Sequence, residues 1–259
     1  MALSNRVVLV TGAGVGIGRA IAVAMANAGA TVACADIDAA AARATAAAIS
    51  AEGKQACAVV ADVGDVAQID RMVSEVTERL GKLDVLVNNA GVTIRKYIMD
   101  LNEQDWDRIH RVNAKGVFFC LQRAARDMIA NGGGVIVNIA SIAGRGYAGT
   151  SNASYAASKG AVIALTRTAA QQLGEHGINV NAVCPGVTRT PLLERSMTRR
   201  AAAWNVSVEE AERRVVEGVP IRRLNDPEDI AALAVFLASP AARNITGQAW
   251  NVDGGLITS

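Results

Sequence analysis

The sequence predicts an α/β fold: a single doubly wound parallel sheet of about seven strands, flanked by helices on both faces. Three observations carry that reading. Short apolar, β-rich runs alternate with longer Ala-rich stretches along the 259 residues. The short runs are apolar throughout, not at every second position, as strands buried on both faces are. Hydrophobic residues make up 51% of the chain, charged residues 19% and aromatics 3%, which supplies a large aliphatic core and excludes disorder. No Pro/Gly/Ser linker, low-complexity block or short repeat divides the chain, which reads as one domain over 1–259.

The elements follow in order. Strands are expected at Arg6–Thr11, Thr31–Asp36, Gln55–Ala61, Leu83–Asn88, Val135–Ala140, Asn179–Val183 and Gln248–Val252, where the apolar runs lie. Helices are expected at Gly16–Ala28, Ala39–Glu52, Val66–Leu80, Asn102–Ile129, Ser154–Glu175 and Asp226–Leu237. The rhythm breaks once, at Thr190–Gly218, which is charged, helical in pattern and followed by no strand. That stretch is an insertion above the sheet: either a substrate lid over about 190–218 or a solvated helical excursion. Its apolar residues Met197, Trp204 and Val208 either touch substrate or pack on the sheet.

Several classes drop out. A net charge of +2, without a basic stripe interleaved with aromatics, argues against nucleic acid or membrane partners. No apolar run is long enough to span a bilayer, and a strand-like run begins at Arg6, leaving no room for a signal peptide. Cys34, Cys57, Cys120 and Cys184 are far apart, so neither a disulfide framework nor a zinc site is expected. Four free thiols suit a reducing cytoplasm. His110 and His176 stand in no metal-ligand or Ser/His/Asp spacing and read as helix-surface residues; no metal is expected.

The segment Thr11-Gly-Ala-Gly-Val-Gly-Ile-Gly18 joins the first strand to the first helix. Glycines there let backbone approach a pyrophosphate, and the helix start offers free N–H groups and a positive dipole. An acid, Asp36, closes the second strand. Its carboxylate accepts both ribose hydroxyls of NAD and repels the extra phosphate of NADP. A site for that phosphate would need Arg or Lys, but Val15 and Ile37 occupy the expected positions and Arg19 lies inside the helix, facing away. The cofactor expected is NAD, in a Rossmann-type fold.

Over essentially the whole chain the sequence then resembles the short-chain dehydrogenase/reductase family, in its NAD-preferring subgroup of about 250 residues. The residues carrying the resemblance are Thr11-Gly12-x-x-x-Gly16-Ile17-Gly18, Asn88-Asn89-Ala90-Gly91 at the end of the fourth strand, Asn113 in the next helix, and Ser141 at the end of the fifth strand. Tyr155-Ala-Ala-Ser-Lys159 opens the following helix, Pro185-Gly186 follows the sixth strand with Thr188 and Thr190 behind it, and Asn251-Val-Asp-Gly-Gly255 closes the chain.

The chemistry also follows from residue types. Tyr155 and Lys159, four apart, share one face of a helix. A free phenol has pKa about 10, and a nearby ammonium favours its phenolate. Tyr155 is therefore the candidate general acid/base for an alcohol or carbonyl, and Ser141 the hydrogen-bonding partner of the same substrate oxygen. The resemblance further implies that Lys159 binds the nicotinamide ribose and that Asn113 holds a water relaying protons to solvent. By the same mapping Asp62 and Val63 resemble the adenine-binding pair, although Asp62 also reads as a helix cap. The backbone of Asn89, Ala90 and Gly91 is expected to border the adenosine ribose. Thr188 and Thr190, after Pro185 and Gly186, are expected to meet the carboxamide and diphosphate.

Pocket walls are expected from Thr93–Lys96, Ile142–Asn152 and the insertion after Pro185. Arg95, Arg145, Tyr147, Asn152, Arg189 and Arg195 make this mixture polar. It either takes a polyol, sugar derivative or hydroxy acid, or its arginines point to water. The resulting reading is an NAD-dependent oxidoreductase interconverting a secondary alcohol and a ketone on a small polar substrate. Two alternatives stand beside it. One is a 3-oxoacyl-thioester reductase of fatty-acid synthesis, against which Asp36 and Val15 argue and for which Arg123 and Arg126 offer a thin docking patch. The other is a non-catalytic NAD(H)-binding sensor or structural subunit, against which the complete set Asn113, Ser141, Tyr155 and Lys159 argues. The resemblance implies a homotetramer packed through the two long helices, whose Val117, Phe118, Leu121, Ala161, Leu165 and Ala169 suit an interface or the sheet equally.

Overall fold

The structure is a computed structural model that describes residues 1–149 and 151–258; of Leu192 and Arg195 it describes the backbone alone. Seven strands form one parallel sheet: β1 (Val7–Thr11), β2 (Thr31–Asp36), β3 (Ala56–Val60), β4 (Val85–Asn88), β5 (Gly134–Ile139), β6 (Ile178–Pro185) and β7 (Ala249–Val252). Their order is β3-β2-β1-β4-β5-β6-β7, with every pairing parallel. The helices are α1 (Gly16–Asn27), α2 (Ala39–Ala51), α3 (Val66–Leu80), α4 (Glu103–His110), α5 (Val117–Ala130), α6 (Ala153–Leu173), α7 (Pro191–Trp204), α8 (Val208–Glu217) and α9 (Pro227–Ala238).

Apolar runs become central strands because both faces are covered. In β1, Val8 and Val10 pack with Ile21, Met25, Ile230 and Leu237 on the α1 and α9 side. Leu9, between them, packs with Ile69, Val73, Leu121 and Met128 of α3 and α5 on the other. Each such burial contributes about 1.5–3 kcal/mol. Of the residues expected to face either sheet or partner, Val117, Leu121 and Ala169 are buried in the chain's own core. Phe118 and Ala161 remain exposed and Leu165 is half-buried. No helix among the described residues is long and apolar enough to cross a membrane.

Three differences from the sequence reading matter. The long helix expected over Asn102–Ile129 is interrupted by a π-helical segment, Arg111–Gly116, between α4 and α5. Such segments shift side chains out of the α register, often at functional sites, and this one carries Asn113. The sixth strand runs past its expected end, so Pro185 pairs with Val252 instead of following the strand. A proline is tolerated there because it occupies the strand's last position, where Gly186 takes over the next bond by donating to the Val252 carbonyl at 2.8 Å. The 190–218 insertion is two helices, α7 and α8; Met197 is buried while Trp204 and Val208 stay exposed.

The strand order reverses between β1 and β4. In such sheets that switch point leaves a crevice at the carboxyl ends of the strands, and the loops carrying the candidate residues converge there.

Candidate active site

The glycine turn is built by close approach. Gly12 and Gly16 sit at φ +64 and +57, where a side chain is strained. A Cβ on Gly12 would lie 2.8 Å from Ala90 Cα, and one on Gly18 would strike the Gly12 carbonyl oxygen and the Asn89 carboxamide. That carboxamide donates to the carbonyls of Thr11 and Gly12, both at 3.0 Å. The Thr11 hydroxyl in turn accepts the N–H of Asn89 at 3.0 Å and of Ala90 at 3.2 Å. Asn89 thus sets the shape of the turn with its side chain, a role the sequence reading missed. Helix α1 begins without a side-chain cap and without an acid in its first turn, so its leading N–H groups are left for an anion.

Asp36 closes β2 beside this turn, its Oδ2 accepting the Gly14 N–H at 2.9 Å and its Oδ1 the Asp38 N–H at 3.0 Å. Val15 and Ile37 flank it, both exposed, and Arg19 is exposed as well. Thr190 reaches the turn from the far side: a Cβ on Gly16 would sit 3.3 Å from its methyl. Its hydroxyl caps α7 by accepting the Leu193 N–H at 3.3 Å. Gly186 packs on Asp253, and Thr188 is buried, its backbone bridging to Asn225. Asp62 is not the cap of α3; Asp65 is. Asp62 accepts the Gly64 N–H at 2.8 Å and pairs with Arg111 at 2.9 Å, and Val63 packs in the core. The cradle of glycines, the uncapped helix start and the carboxylate at the end of β2 together fit a dinucleotide.

Ser141, Tyr155, Lys159 and Asn113 come together at the carboxyl ends of β4 and β5. Ser141 lies two residues past β5 and caps a 3-10 turn, its Oγ accepting the Ala143 N–H at 3.1 Å. Tyr155 is the third residue of α6. Burial pushes its phenol above the ordinary value, and a hydrogen bond with Ser141 opposes that rise. Lys159 is buried, donates to the Ile139 carbonyl at 2.7 Å, and has its ammonium 5.8 Å from the centre of the Tyr155 ring. Burial lowers its pKa to about 8, with Cys184 acting in the other direction. The phenol is thus governed by its own burial and by Ser141, not by the depression expected from Lys159. Asn113 is fully buried, accepting the Val92 N–H at 2.8 Å and donating to the Val92 carbonyl at 2.9 Å and to Ser158 Oγ at 3.1 Å.

A family model described as enoyl-(acyl carrier protein) reductase matches residues 12–257. The chain is 44% identical to the sorbitol dehydrogenase of Cereibacter sphaeroides over 210 residues, 80% of this chain and 82% of that one. It is 39% identical over 209 residues to the 3-oxoacyl-[acyl-carrier-protein] reductase FabG of Staphylococcus epidermidis, with 80% of each chain covered. A crystal structure of a short-chain type dehydrogenase/reductase from Mycobacterium marinum superposes with a TM-score of 0.90 at 35% identity, over 99% of this chain and 97% of that one. The chain belongs to the short-chain dehydrogenase/reductase family. It is an oxidoreductase of that family, with a nicotinamide cofactor, NAD(H) or NADP(H).

In this short-chain dehydrogenase/reductase the expected pocket residues divide. Asn152 is no free substrate ligand: its Oδ1 caps α6 by accepting the Tyr155 N–H at 2.9 Å, and its Nδ2 donates to the Ile94 carbonyl. A buried helix start needs such a cap, and the cap fixes the residue carrying the phenol. Arg145 turns toward β7, donating to the Ala249 carbonyl and bonding Cys184. Arg189 is paired with Glu212 at 2.6 Å. The Tyr147 ring packs over Gly149 and against the Ile142 cluster. Arg95 alone of the named arginines reaches α7 across the mouth, its Nη1 donating to Ser196 Oγ at 2.8 Å; the Arg195 side chain lies outside the described residues. His110 stacks on Trp106, ring centres 3.9 Å apart.

A buried polar chain supports the site from below. Asn88 Nδ2 donates to Asn138 Oδ1, Asn138 Nδ2 to Thr166 Oγ1, each at 2.9 Å. It couples β4, β5 and α6. Its signal was present in the sequence as two asparagines inside otherwise apolar strands.

Proposed function

We propose that the protein is an NAD-dependent oxidoreductase that interconverts a secondary alcohol and a ketone on a small polar substrate. The observation that carries this is the meeting of the Tyr155 phenol, the Ser141 hydroxyl and the Lys159 ammonium at the switch point beside the glycine cradle. NAD, when bound, supplies the hydride acceptor. Gly12, Gly16, Ile17 and Gly18 and the start of α1 would hold its diphosphate, and Asp36 its adenosine ribose. Asp62, Val63 and the backbone of Asn89, Ala90 and Gly91 would line the adenosine, with Pro185, Gly186, Thr188 and Thr190 toward the nicotinamide.

Tyr155 exchanges a proton with the substrate oxygen, as base in oxidation and as acid in reduction. Ser141 hydrogen-bonds that oxygen and holds the charge developing there. Lys159, anchored on the Ile139 carbonyl beside the Tyr155 ring, would bind the nicotinamide ribose. Asn113 is a positioning residue, joining the π segment to Val92 and Ser158. Helices α7 and α8 serve as the lid, and the protein acts as a homotetramer with Phe118 and Ala161 available to the interface.

The similarity to FabG supports a second reading, reduction of a 3-oxoacyl thioester. Asp36 speaks against its NADPH, since its carboxylate faces the place the extra phosphate would take. Arg123, one of its two docking residues, is held against α3 by Asp70 at 3.7 Å and Ser74 at 3.3 Å. NADH formation from polyols, sugar derivatives and hydroxy acids, with NADP in parallel, separates the two readings.

A further inference from the structure

Two cations come together between α7 and the segment leaving β4, with no carboxylate bonded to either among the described residues. Arg95 stands in the segment leaving β4, tied to Ser196 of α7. Arg200, one turn further along α7, donates from Nη2 to the Gly149 carbonyl at 2.6 Å, and its guanidinium lies 5.9 Å from the centre of the Trp204 ring. These contacts join α7 to the segment leaving β4 and to the loop that leads into α6, the helix carrying Tyr155. Thr93 and Ser151 hydroxyls bond across the same seam, and Asn152 joins it to the start of α6.

Arg200 Nε is buried and has no hydrogen-bond partner among the described residues. Neighbouring arginines are placed differently: Arg213 and Arg214 of α8 both bond Glu210 at 2.8 Å, and Arg189, ahead of α7, bonds Glu212 at 2.6 Å. Among the described residues neither Arg95 nor Arg200 has an ion pair of this kind. Burial, and then the nearby Arg95, hold Arg200 below the usual guanidinium range. Two like charges and an unpaired buried N–H are costly unless an anion joins them. A guanidinium fork matches the two oxygens of a carboxylate or phosphate.

From this geometry we infer that Arg95 and Arg200 form a clamp for an oxyanion carried by the substrate, so that the enzyme acts on hydroxy compounds bearing a carboxylate or a phosphate. The inference rests on the alcohol–ketone reading above and narrows its substrate class. Arg200 was invisible in the sequence because it is one of several arginines on α7 and α8; only the fold brings it to Arg95.

The test pairs anionic with neutral substrates. With NAD, kcat/KM is measured for 3-hydroxybutyrate against 3-hydroxybutyramide, and for glycerol 3-phosphate against glycerol. In parallel, malonate and inorganic phosphate are titrated by calorimetry into the NADH-loaded protein. Wild type is expected to favour the anionic member of at least one pair, and the pair that responds tells carboxylate from phosphate. Arg95→Gln and Arg200→Gln should each lower the anionic-to-neutral ratio about 10- to 100-fold, the scale of one charge-assisted hydrogen bond, and should weaken binding of the matching anion. A wild-type ratio near one in both pairs, or anion binding that both variants keep, overturns the clamp. Absence of NADH binding and of turnover with every alcohol overturns the alcohol–ketone reading instead, and the titrations with malonate and phosphate then decide the clamp on the protein alone.

Discussion

Asn113 closes a two-bond ring with Val92, its Oδ1 accepting the Val92 N–H at 2.8 Å and its Nδ2 donating to the Val92 carbonyl at 2.9 Å. This ties the π segment to the chain leaving β4, and Ser158 extends the tie to α6. Nδ2 thus makes both its bonds and Oδ1 one of two. A Cβ on Gly91 would lie 3.4 Å from Asn113 Oδ1 and 3.6 Å from Lys159 Nζ, so Gly91 leaves room for both side chains. The proton-relaying water implied by the family resemblance would take the acceptor position that Oδ1 keeps. Asn113→Ala should lower stability by about 2 kcal/mol through the loss of these bonds, and Tm by roughly 5 °C for a chain of this size. Turnover should fall with it. Thermal unfolding of the variant checks this, and an unchanged Tm would count against the tie.

Tyr155→Phe should reduce turnover at least about a thousandfold, as loss of a general acid/base does, while NADH fluorescence still reports binding. The wild-type pH profile follows from the raised phenol pKa. The phenolate needed to oxidise an alcohol becomes more abundant as pH rises, so oxidation should speed up from pH 7 toward pH 10. Ketone reduction needs the protonated phenol and should run the other way. Parallel profiles in the two directions would remove Tyr155 from the proton transfer.

Asp36 shapes the glycine turn and, on the NAD-dependent reading, would also select the cofactor; one substitution tests both. Asp36→Ala should shift the NAD-to-NADP ratio of kcat/KM by about tenfold or more toward NADP, since removing a repelling charge is worth at least about 1.4 kcal/mol. It should also lower Tm, because the N–H groups of Gly14 and Asp38 lose their acceptor. An unchanged ratio with a lowered Tm would leave Asp36 only its part in shaping the turn.

Lys159 is a buried cation whose folded-state pKa falls from 10.5 to about 8. Below pH 8 the folded protein carries this charge at a cost; between pH 8 and 10.5 it sheds the proton that the unfolded chain keeps. Stability from this group therefore rises with pH through that window, by about 3 kcal/mol at most. Lys159→Met should abolish turnover yet raise Tm at pH 7 in protein without added cofactor, and the gain should shrink toward pH 10. A Tm that drops equally at both pH values would contradict the burial cost.

Most of the architecture was legible because aliphatic strands and Ala-rich helices differ in length and pattern. The glycine turn, Asp36 and the Tyr155–Lys159 pair were legible because their spacing itself is the chemistry. The π segment was not, since Arg111-Val-Asn-Ala-Lys-Gly116 has ordinary helical composition and its register is set by Val92 and Ser158 from elsewhere in the chain. Side-chain direction was equally hidden: Arg145, Arg189 and Asn152 lie on pocket segments but spend their bonds on Ala249, Glu212 and the start of α6. Partners remote in sequence decided each of these.

The most direct test of the whole reading is NADH formation across polyols, sugar derivatives, hydroxy acids and simple secondary alcohols, with NADP run in parallel. Turnover of a small polar alcohol with NAD, and little with NADP, is the predicted result. Silence with NAD, together with NADPH oxidation by an acetoacetyl thioester, would contradict it and make the protein a 3-oxoacyl-thioester reductase.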